Sequence, residues 1–284
     1  MSAYAKLGLI AGGGELPVLL AEHLKAGGSP YFVARIAPYA DAALDAHPGA
    51  TLGLGAMGAR MKAMKDAGVD AIVLIGQVPR PDLGKLELDE GAIAMLPAIM
   101  AALQEGDDTL LRAVLSEHEK AGFRVLGADA VMADLLARPG VWGAVEPTPK
   151  QFGDVKRAAK LAAAIGSYDV GQGVVVADGV VLAVEAQEGT DRMLARVAEF
   201  PETLRGSAER RRGVLVKRPK PIQDMRIDLP VVGVQTIERA ASAGLAGVAV
   251  QAGSALVVRR EAIIAAADKA GLFVLGFDPA DVDA

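Results

Sequence analysis

The sequence predicts an α/β protein with two domains, an N-terminal domain on a mostly parallel sheet and a C-terminal α/β domain with a mixed sheet. In the first half, apolar strand-like runs alternate with helical stretches, which is typical of a parallel sheet. The second half carries Asp178-Gly179 between two β-branched runs, a strong hairpin signal. Between the halves, residues 138–153 contain three prolines and three glycines. We therefore predict domains at residues 1–137 and 154–284, joined by a linker at 138–153.

Composition limits the class of protein. The chain has 284 residues and is 52% hydrophobic, enough for buried cores, and its formal net charge of -5 argues against a nucleic-acid surface. The absence of cysteine excludes disulfides, thiolate metal sites and cysteine nucleophiles. The opening residues lack a signal-peptide layout, and no apolar run reaches the ~20 residues of a spanning helix. We expect a cytoplasmic protein, with peripheral contact to a membrane and homodimer formation both left open.

The first strand and helix flank a glycine turn. An apolar strand at residues 7–11 runs into Gly12, Gly13 and Gly14, and a helix follows at residues 16–24. Such a turn brings backbone amides close to phosphate, so a nucleotide or sugar-phosphate contact and a purely structural turn are both open. Binding of NAD is disfavoured, because Pro17 stands where a dinucleotide fold has its third glycine.

The rest of the first half continues the alternation of strands and helices. The expected elements are a strand at 31–36, a helix at 57–67, a strand at 71–76, a helix at 110–121 and a strand at 123–126. Gln77 and Arg80 follow the strand at 71–76 and are candidate substrate-binding residues, since open α/β sheets bind ligands at this edge. The apolar run at 92–103 predicts a core helix, with an apolar-ligand surface as the less favoured alternative. Asp108 and Thr109 are expected to cap the next helix.

The second half begins with a helix at 154–165 and the hairpin at 173–185. Glu188, Gly189, Thr190 and Asp191 then open a helix at 192–200. Capping explains Thr190, whereas a glycine before a helix N-terminus also suits close approach of a phosphate. We therefore retain Glu188 and Gly189 as candidate substrate-binding residues.

Charged residues concentrate in the proline-rich stretch at 217–233, which follows a strand at 213–216. Its prolines prevent a helix or central strand in its first half, so we predict an ordered loop. Lys217, Lys220 and Arg226 suit an anion, while Asp224 and Asp228 suit a cation. Phosphate with a divalent metal satisfies both signs, and the alternative is a solvated charged loop. The chain then predicts strands at 231–234, 247–250, 256–258 and 272–276, with helices at 236–243, capped by Thr236, and 261–270.

Several of these motifs together resemble a known enzyme family. The segments E-G-T-D at 188–191 and K-R-P-K-P-I-Q-D-M-R-I-D-L-P-V-V-G at 217–233, with L-I-A-G-G-G-E-L-P at the start and G-D-D at 106–108, resemble the LpxI-type UDP-2,3-diacylglucosamine pyrophosphatases. The resemblance implies a two-domain, Mg²⁺-dependent hydrolase of lipid A biosynthesis in Gram-negative bacteria. It implies an N-terminal Rossmann-like domain and a C-terminal α/β domain. It also implies an acylated UDP-sugar substrate, cleaved at the α-phosphorus into UMP and 2,3-diacylglucosamine 1-phosphate, while peripheral contact with the inner membrane stays open.

Residue chemistry suggests roles consistent with this resemblance. The three histidines, His23, His47 and His118, are scattered, which disfavours a zinc site or a Ser-His-Asp triad. Oxygen ligands and phosphate suit Mg²⁺, with Mn²⁺ as a substitute. The predicted site residues fall into three groups. The catalytic group is Asp224, Lys217, Lys220, Gln223, Arg226 and Thr190; the metal group is Asp224 with Asp191; the substrate-binding group is Gly12, Gly13, Gly14, Gln77, Arg80, Glu188, Gly189, Asp228 and Thr236. Asp191 and Asp228 are alternatives for a second carboxylate beside Asp224, and either one can instead cap a turn.

Three other functions remain open at the level of sequence. A Rossmann oxidoreductase would use the glycine turn, a nucleotide-sugar transferase or epimerase would use the same domains for another reaction, and a non-catalytic lipid- or nucleotide-binding protein would need the cations but not Asp224. Release of UMP from the substrate distinguishes all three from the hydrolase.

Overall fold

The computed structural model describes residues 4–79, 82–104 and 106–283 and divides into two compact units, Met1–Ala133 and Asp134–Ala284. Each unit combines helices with its own sheet, which confirms the predicted α/β class and two-domain organisation. The division falls a few residues before the predicted linker.

The N-terminal unit is built on a parallel sheet with strand order β3-β2-β1-β4-β5, the order of a Rossmann-type half. The strands are β1 (Leu7–Ala11), β2 (Tyr31–Ala37), β3 (Gly49–Gly53), β4 (Ala71–Ile75) and β5 (Arg124–Val125). β1 is completely buried because its five residues are covered on both faces. The sequence did not predict β3, whose short, glycine-flanked and half-exposed run lacks the apolar signal of a central strand.

The helices of this unit are α1 (Glu15–Ala26), α2 (Met57–Asp66), α3 (Glu90–Leu103), α4 (Asp107–Lys120) and α5 (Ala128–Val131). The prediction that 92–103 forms a core helix is wrong as to burial. Helix α3 has Ile93 55% exposed and Met100 47% exposed, so much of its apolar surface faces outward. The carboxylate of Asp89 accepts from Ala92 N at the start of α3 and from Ala59 N at the start of α2, which ties the two helices together.

The expected cap at 108–109 is also wrong. Helix α4 starts at Asp107, which leaves Gly106 as its cap residue and places Asp108 within the first turn. Asp108 is buried and forms an ion pair with Arg112 at 2.9 Å, one turn further along the same helix. The G-D-D motif therefore stabilises the beginning of a helix in this unit.

The C-terminal unit has a mixed sheet in the order β6-β13-β11-β9-β7-β8 and a separate parallel pair, β10 with β12. The strands are β6 (Gly140–Trp142), β7 (Gly173–Ala177), β8 (Val180–Val184), β9 (Val214–Lys217), β10 (Val231–Val232), β11 (Gly247–Gln251), β12 (Leu256–Val257) and β13 (Phe273–Phe277). Strands β9, β11 and β13 run parallel, whereas β6 and β7 are antiparallel to their neighbours. The mixed sheet is thus confirmed, and Asp178-Gly179 forms the turn of the predicted hairpin.

Helices cover both faces of this sheet, and the alternation of side chains along β9 assigns each residue to one face. The helices are α6 (Pro149–Gly166), α7 (Gly189–Ala198), α8 (Glu202–Arg205), α9 (Val234–Ser242), α10 (Arg260–Ala270) and α11 (Pro279–Asp283). Val214 and Val216 pack with α6 and α11. Leu215 packs with α7, α9 and α10 on the opposite face. Lys217 continues the alternation on the side of Leu215.

Two local predictions in this unit require correction. Residues 138–153 are not a free linker, because β6 pairs with β13 and helix α6 already begins at Pro149, after a capping box formed by Thr148 and Gln151. Thr236 does not cap its helix: α9 begins at Val234 with Gly233 as the cap residue, and Thr236 is buried in the first turn.

Candidate functional site

The predicted site residues of the C-terminal unit gather at the carboxyl edge of β9. Lys217 is the last residue of that strand, and Gly173 of β7 lies directly opposite it. The neighbouring strand β8 ends at Val184, so Glu185 emerges at the same edge of the sheet. The α7/α9 face therefore receives both Lys217 and Glu185, which continue the alternation of Leu215 and Ala183. In open α/β sheets this edge is where ligands bind.

Lys217 is a buried cation. The residue is 6% exposed, and its Nζ donates to the carbonyl oxygen of Val231 at 2.9 Å. Burial lowers the pKa of Lys217 below its ordinary value, and the nearby carboxylates of Glu185, Asp191 and Asp228 oppose that shift. The three acids belong to three separate segments, and the charge of each acts on this one ammonium group.

Glu185 is a site residue that sequence reasoning missed. The residue is 6% exposed, its Oε1 accepts from the hydroxyl of Thr190 at 2.8 Å, and its Oε2 has no hydrogen-bond partner within the described residues. The available signal is an acid two residues after the buried Ala183, and therefore on the same face of the sheet.

The E-G-T-D segment forms the N-terminus of α7, as its glycine suggested. Gly189 adopts φ +76°, a left-handed conformation that favours glycine. The hydroxyl of Thr190 donates to Glu185 Oε1 at 2.8 Å, so it is engaged within the protein, and its catalytic role stays a prediction. Asp191 is half exposed and pairs with Arg239 of α9 at 3.2 Å. Glu188 accepts from Arg196 at 2.7 Å and lies on the surface of α7.

The loop that follows β9 is ordered by its own polar groups. Lys220 Nζ lies 2.6 Å from Asp169 Oδ1, which fastens the loop to the segment after α6. Gln223 is 7% exposed; its Oε1 accepts from Lys220 N, and its Nε2 has no hydrogen-bond partner in the part of the chain that the structure describes. A buried amide donor in this state is suited to a ligand acceptor.

Asp224 and Arg226 form a two-pronged ion pair within the same loop. Arg226 donates from Nε to Oδ1 at 3.0 Å and from a terminal nitrogen to Oδ2 at 2.6 Å. Both carboxylate oxygens are therefore engaged, and a metal ion or a water molecule at Asp224 would have to share them with Arg226. The amide of Asp228 donates to Asp224 O at 3.3 Å, which closes the turn.

The substrate-binding residues predicted in the N-terminal unit have mainly structural contacts. Gly12 N donates to Ile75 O, Gly13 N donates to Gln77 O, and Gln77 N donates back to Gly13 O. A Cβ at Gly12 would lie 2.6 Å from Gln77 O, so this glycine is needed for close backbone packing. Gly14 is the cap residue at the start of α1, and its contact with a phosphate stays a prediction. Arg80 lies outside the described residues.

The arrangement of acids bears on whether Mg²⁺ fits. Among the residues that the structure describes, no three His, Asp or Glu side chains converge to hold a metal by themselves. Mg²⁺ commonly uses one or two carboxylates together with substrate phosphates, and this mode fits the partly exposed Asp191 and Asp224. The donor set is therefore compatible with a metal that arrives with a phosphate ligand.

These features define a class of protein: a two-domain α/β protein with a Rossmann-type N-terminal sheet and a C-terminal mixed sheet, whose buried lysine, carboxylates and cationic loop collect at one sheet edge.

Comparison with known proteins identifies the family. The LpxI N-terminal domain model matches residues 6–135, and the LpxI C-terminal domain model matches residues 138–275. The chain is also 54% identical over 274 residues to a protein of Caulobacter vibrioides named UDP-2,3-diacylglucosamine pyrophosphatase LpxI, covering 96% of this chain and 98% of that protein. The chain belongs to the LpxI family, which confirms the resemblance stated from its motifs.

Among solved structures, the chain is similar to a CobK precorrin-6A reductase at 14% identity, with a TM-score of 0.33 over 96% of this chain and 88% of that one. A likeness of this size supports no conclusion about the present protein.

Proposed function

We propose that the protein hydrolyses UDP-2,3-diacylglucosamine to UMP and 2,3-diacylglucosamine 1-phosphate, a step in lipid A biosynthesis. The observation that carries the proposal is the 54% identity, over nearly the whole length of both chains, with a protein named for this activity. The site geometry is compatible with it, because a pyrophosphate needs cations and neutral donors, and Lys217, Lys220 and Gln223 supply them.

The reaction that we propose is attack of water on the α-phosphorus. The oxygen of water forms a bond to that phosphorus, the bond from phosphorus to the bridging oxygen breaks, and the acylated sugar 1-phosphate leaves with the bridging oxygen. The water loses its protons to solvent or to a carboxylate, for which Asp224 is our candidate. The ammonium of Lys217 and the amide Nε2 of Gln223 would stabilise negative charge on the phosphate oxygens, since both are buried in a region of low dielectric.

We assign the binding of Mg²⁺, or Mn²⁺ in its place, to Asp224 and Asp191 with the substrate's phosphate oxygens. Bound there, the metal would neutralise phosphate charge and polarise the phosphorus. Asp228 is the alternative second carboxylate, because its charge also reaches Lys217. Arg226 would hold Asp224 in place before the substrate enters.

The location of the reaction follows from the substrate. Within the described residues, the longest apolar helices fall short of what is needed to cross a membrane. A substrate with two acyl chains and a charged nucleotide lies at a membrane surface. We therefore propose that the protein acts in the cytoplasm, in peripheral contact with the inner membrane. Helix α3 exposes Ile93 and Met100, and we propose these side chains as a surface for acyl chains.

The test is product analysis with a matched pair of variants. Purified protein, Mg²⁺ and UDP-2,3-diacylglucosamine in ¹⁸O-water should release UMP that carries the label, with none in the sugar phosphate. Asp224→Asn should lower the turnover number by about a thousandfold, whereas Asp178→Asn should leave it unchanged. Asp178 is a fair control because it is also an aspartate in ion pairs, with Lys150 and Arg212, at the opposite edge of the same sheet. Release of UDP, or label in the sugar phosphate, would overturn the assignment.

A further inference from the structure

The side chain of Glu185 occupies space that is left open by two glycines, Gly173 and Gly171. A Cβ at Gly173 would lie 2.4 Å from Glu185 Oε2, and a Cβ at Gly171 would lie 2.1 Å from Glu185 O. Glu185 N also donates to Gly173 O at 2.8 Å. Because Gly173 is the residue opposite Lys217 across β7 and β9, the carboxylate lies over the strand that separates β8 from Lys217.

Burial of this carboxylate costs free energy, so we look for a function that offsets the cost. A buried acid with one unpartnered oxygen loses the hydration that both oxygens have in water. Its other oxygen is committed to Thr190, in the first turn of α7. Its charge acts on Lys217, together with those of Asp191 from α7 and Asp228 from the loop. On the same side of the sheet, Arg239 of α9 pairs with Asp191.

We propose that Glu185 is a positioning residue of this site: its carboxylate, lodged over Gly173, holds the N-terminus of α7 through Thr190 and holds the ammonium of Lys217 toward the substrate. The expected loss of kcat rests on the proposed hydrolysis. The claim that Glu185 positions α7 and Lys217 does not depend on it. The expected ligand at this place is the anionic pyrophosphate, which Lys217 meets and Glu185 does not.

Three variants separate the parts of the claim. Glu185→Gln keeps an oxygen for the hydroxyl of Thr190 but removes the charge. Thr190→Val removes the hydroxyl and keeps the carboxylate. Gly173→Ala keeps both groups but places a methyl group 2.4 Å from Oε2, so the carboxylate must move. Matched controls are Glu238→Gln, an exposed acid of α9, and Gly153→Ala, where a Cβ meets no atom of the described residues within 4 Å.

The first measurement is the turnover number against KM. We expect each of the three variants to lower kcat by about 10- to 100-fold with a smaller change in KM, which is the range for residues that orient a primary group. The controls should match the wild type. Retention of kcat within threefold in both Glu185→Gln and Gly173→Ala would overturn the proposal.

The second measurement needs no substrate. The ¹⁵N-ammonium signal of Lys217, assigned by its loss in Lys217→Arg, should be protected from solvent exchange by burial and by its bond to Val231 O. It should shift or broaden in Glu185→Gln and in Gly173→Ala, and stay in place in the controls. An unchanged signal in both would overturn the positioning role. If the wild type released no UMP while the Lys217 signal moved as expected, the proposed reaction would fail and the positioning would stand. If Glu185→Gln does not fold, Gly173→Ala and Thr190→Val are compared with the wild type in the same two measurements.

Discussion

Replacement of Lys217 by methionine should separate activity from stability. Methionine keeps the apolar stem of lysine and loses the ammonium group, so no large cavity is created. The structural loss is one hydrogen bond, from Nζ to Val231 O, worth about 1 kcal/mol. The catalytic loss is larger, because removing one preorganised donor at a developing charge typically costs about 10²- to 10³-fold in kcat, or roughly 3–4 kcal/mol.

The buried charge itself should not add a large stability penalty. Removing one partner of a buried ion pair often destabilises strongly, but here burial lowers the pKa of Lys217 despite three nearby acids. The environment therefore disfavours the charged form, and this lowered pKa opposes folding below pH 10.5. Between the folded-state pKa and 10.5, the unfolded chain binds more protons, so this opposition is relieved as the pH rises. The wild type should gain stability relative to Lys217→Met in that window.

The assay combines UMP release with urea unfolding of the same preparations. Lys150→Met is the control, since Lys150 is an exposed lysine that pairs with Asp178 at the opposite edge of the sheet. Lys217→Met with a kcat within threefold of the wild type would refute the role of the charge. A loss of 4 kcal/mol or more in the free energy of unfolding would refute the argument from burial, because the charge would then stabilise the fold.

Three further predictions address other parts of the chain. Asp89→Ala should lower the free energy of unfolding by about 2 kcal/mol, because it removes caps from both α2 and α3. Burial raises the pKa of Asp89, but hydrogen bonds from Ala59, Ala92 and Gly58 lower it overall. The difference in unfolding free energy between wild type and Asp89→Ala should therefore persist above pH 3.8 and vanish as the pH falls through the folded-state pKa. A difference that does not depend on pH would contradict this. Ile93→Ser with Met100→Ser should raise KM for the acylated substrate and leave kcat unchanged, and an unchanged KM would remove α3 from substrate binding. EDTA should stop UMP release and Mg²⁺ or Mn²⁺ should restore it, whereas full activity after exhaustive dialysis into chelator would exclude the metal.

The sheets were predictable from sequence because most of their strands are buried on both faces. Continuous apolar runs such as those of β1, β4 and β11 have few alternatives to a central strand. The strands that escaped prediction, β3 and β6, are exposed or short and contain glycine, so their pairing depends on the neighbouring strand. Helix α3 was predicted, but its burial was not, because apolar periodicity does not state what covers a helix.

The sequence shows which residue types gather in the candidate site, but it does not show how they pair. The charged loop after β9 was evident, since proline fixes its backbone and cations and acids alternate along it. Its partners lie far away in sequence: Lys220 meets Asp169 across 51 positions, and Asp191 meets Arg239 on another helix. A surface charge and a paired charge have the same letter in the sequence, so only the fold distinguishes them.

The glycines show the same limit in a sharper form. The three glycines at 12–14 looked like a phosphate turn, yet the amides of Gly12 and Gly13 are used by neighbouring backbone carbonyls. Gly173 belongs to no motif, yet its missing side chain leaves room for the carboxylate of Glu185, on the strand residue that pairs with Lys217. In both places glycine allows another group to approach the backbone closely. The approaching group is the backbone after β4 at Gly12, and the carboxylate of Glu185 at Gly173. A single glycine within a valine-rich strand therefore gives less signal in the sequence than a run of three glycines, although both allow close packing.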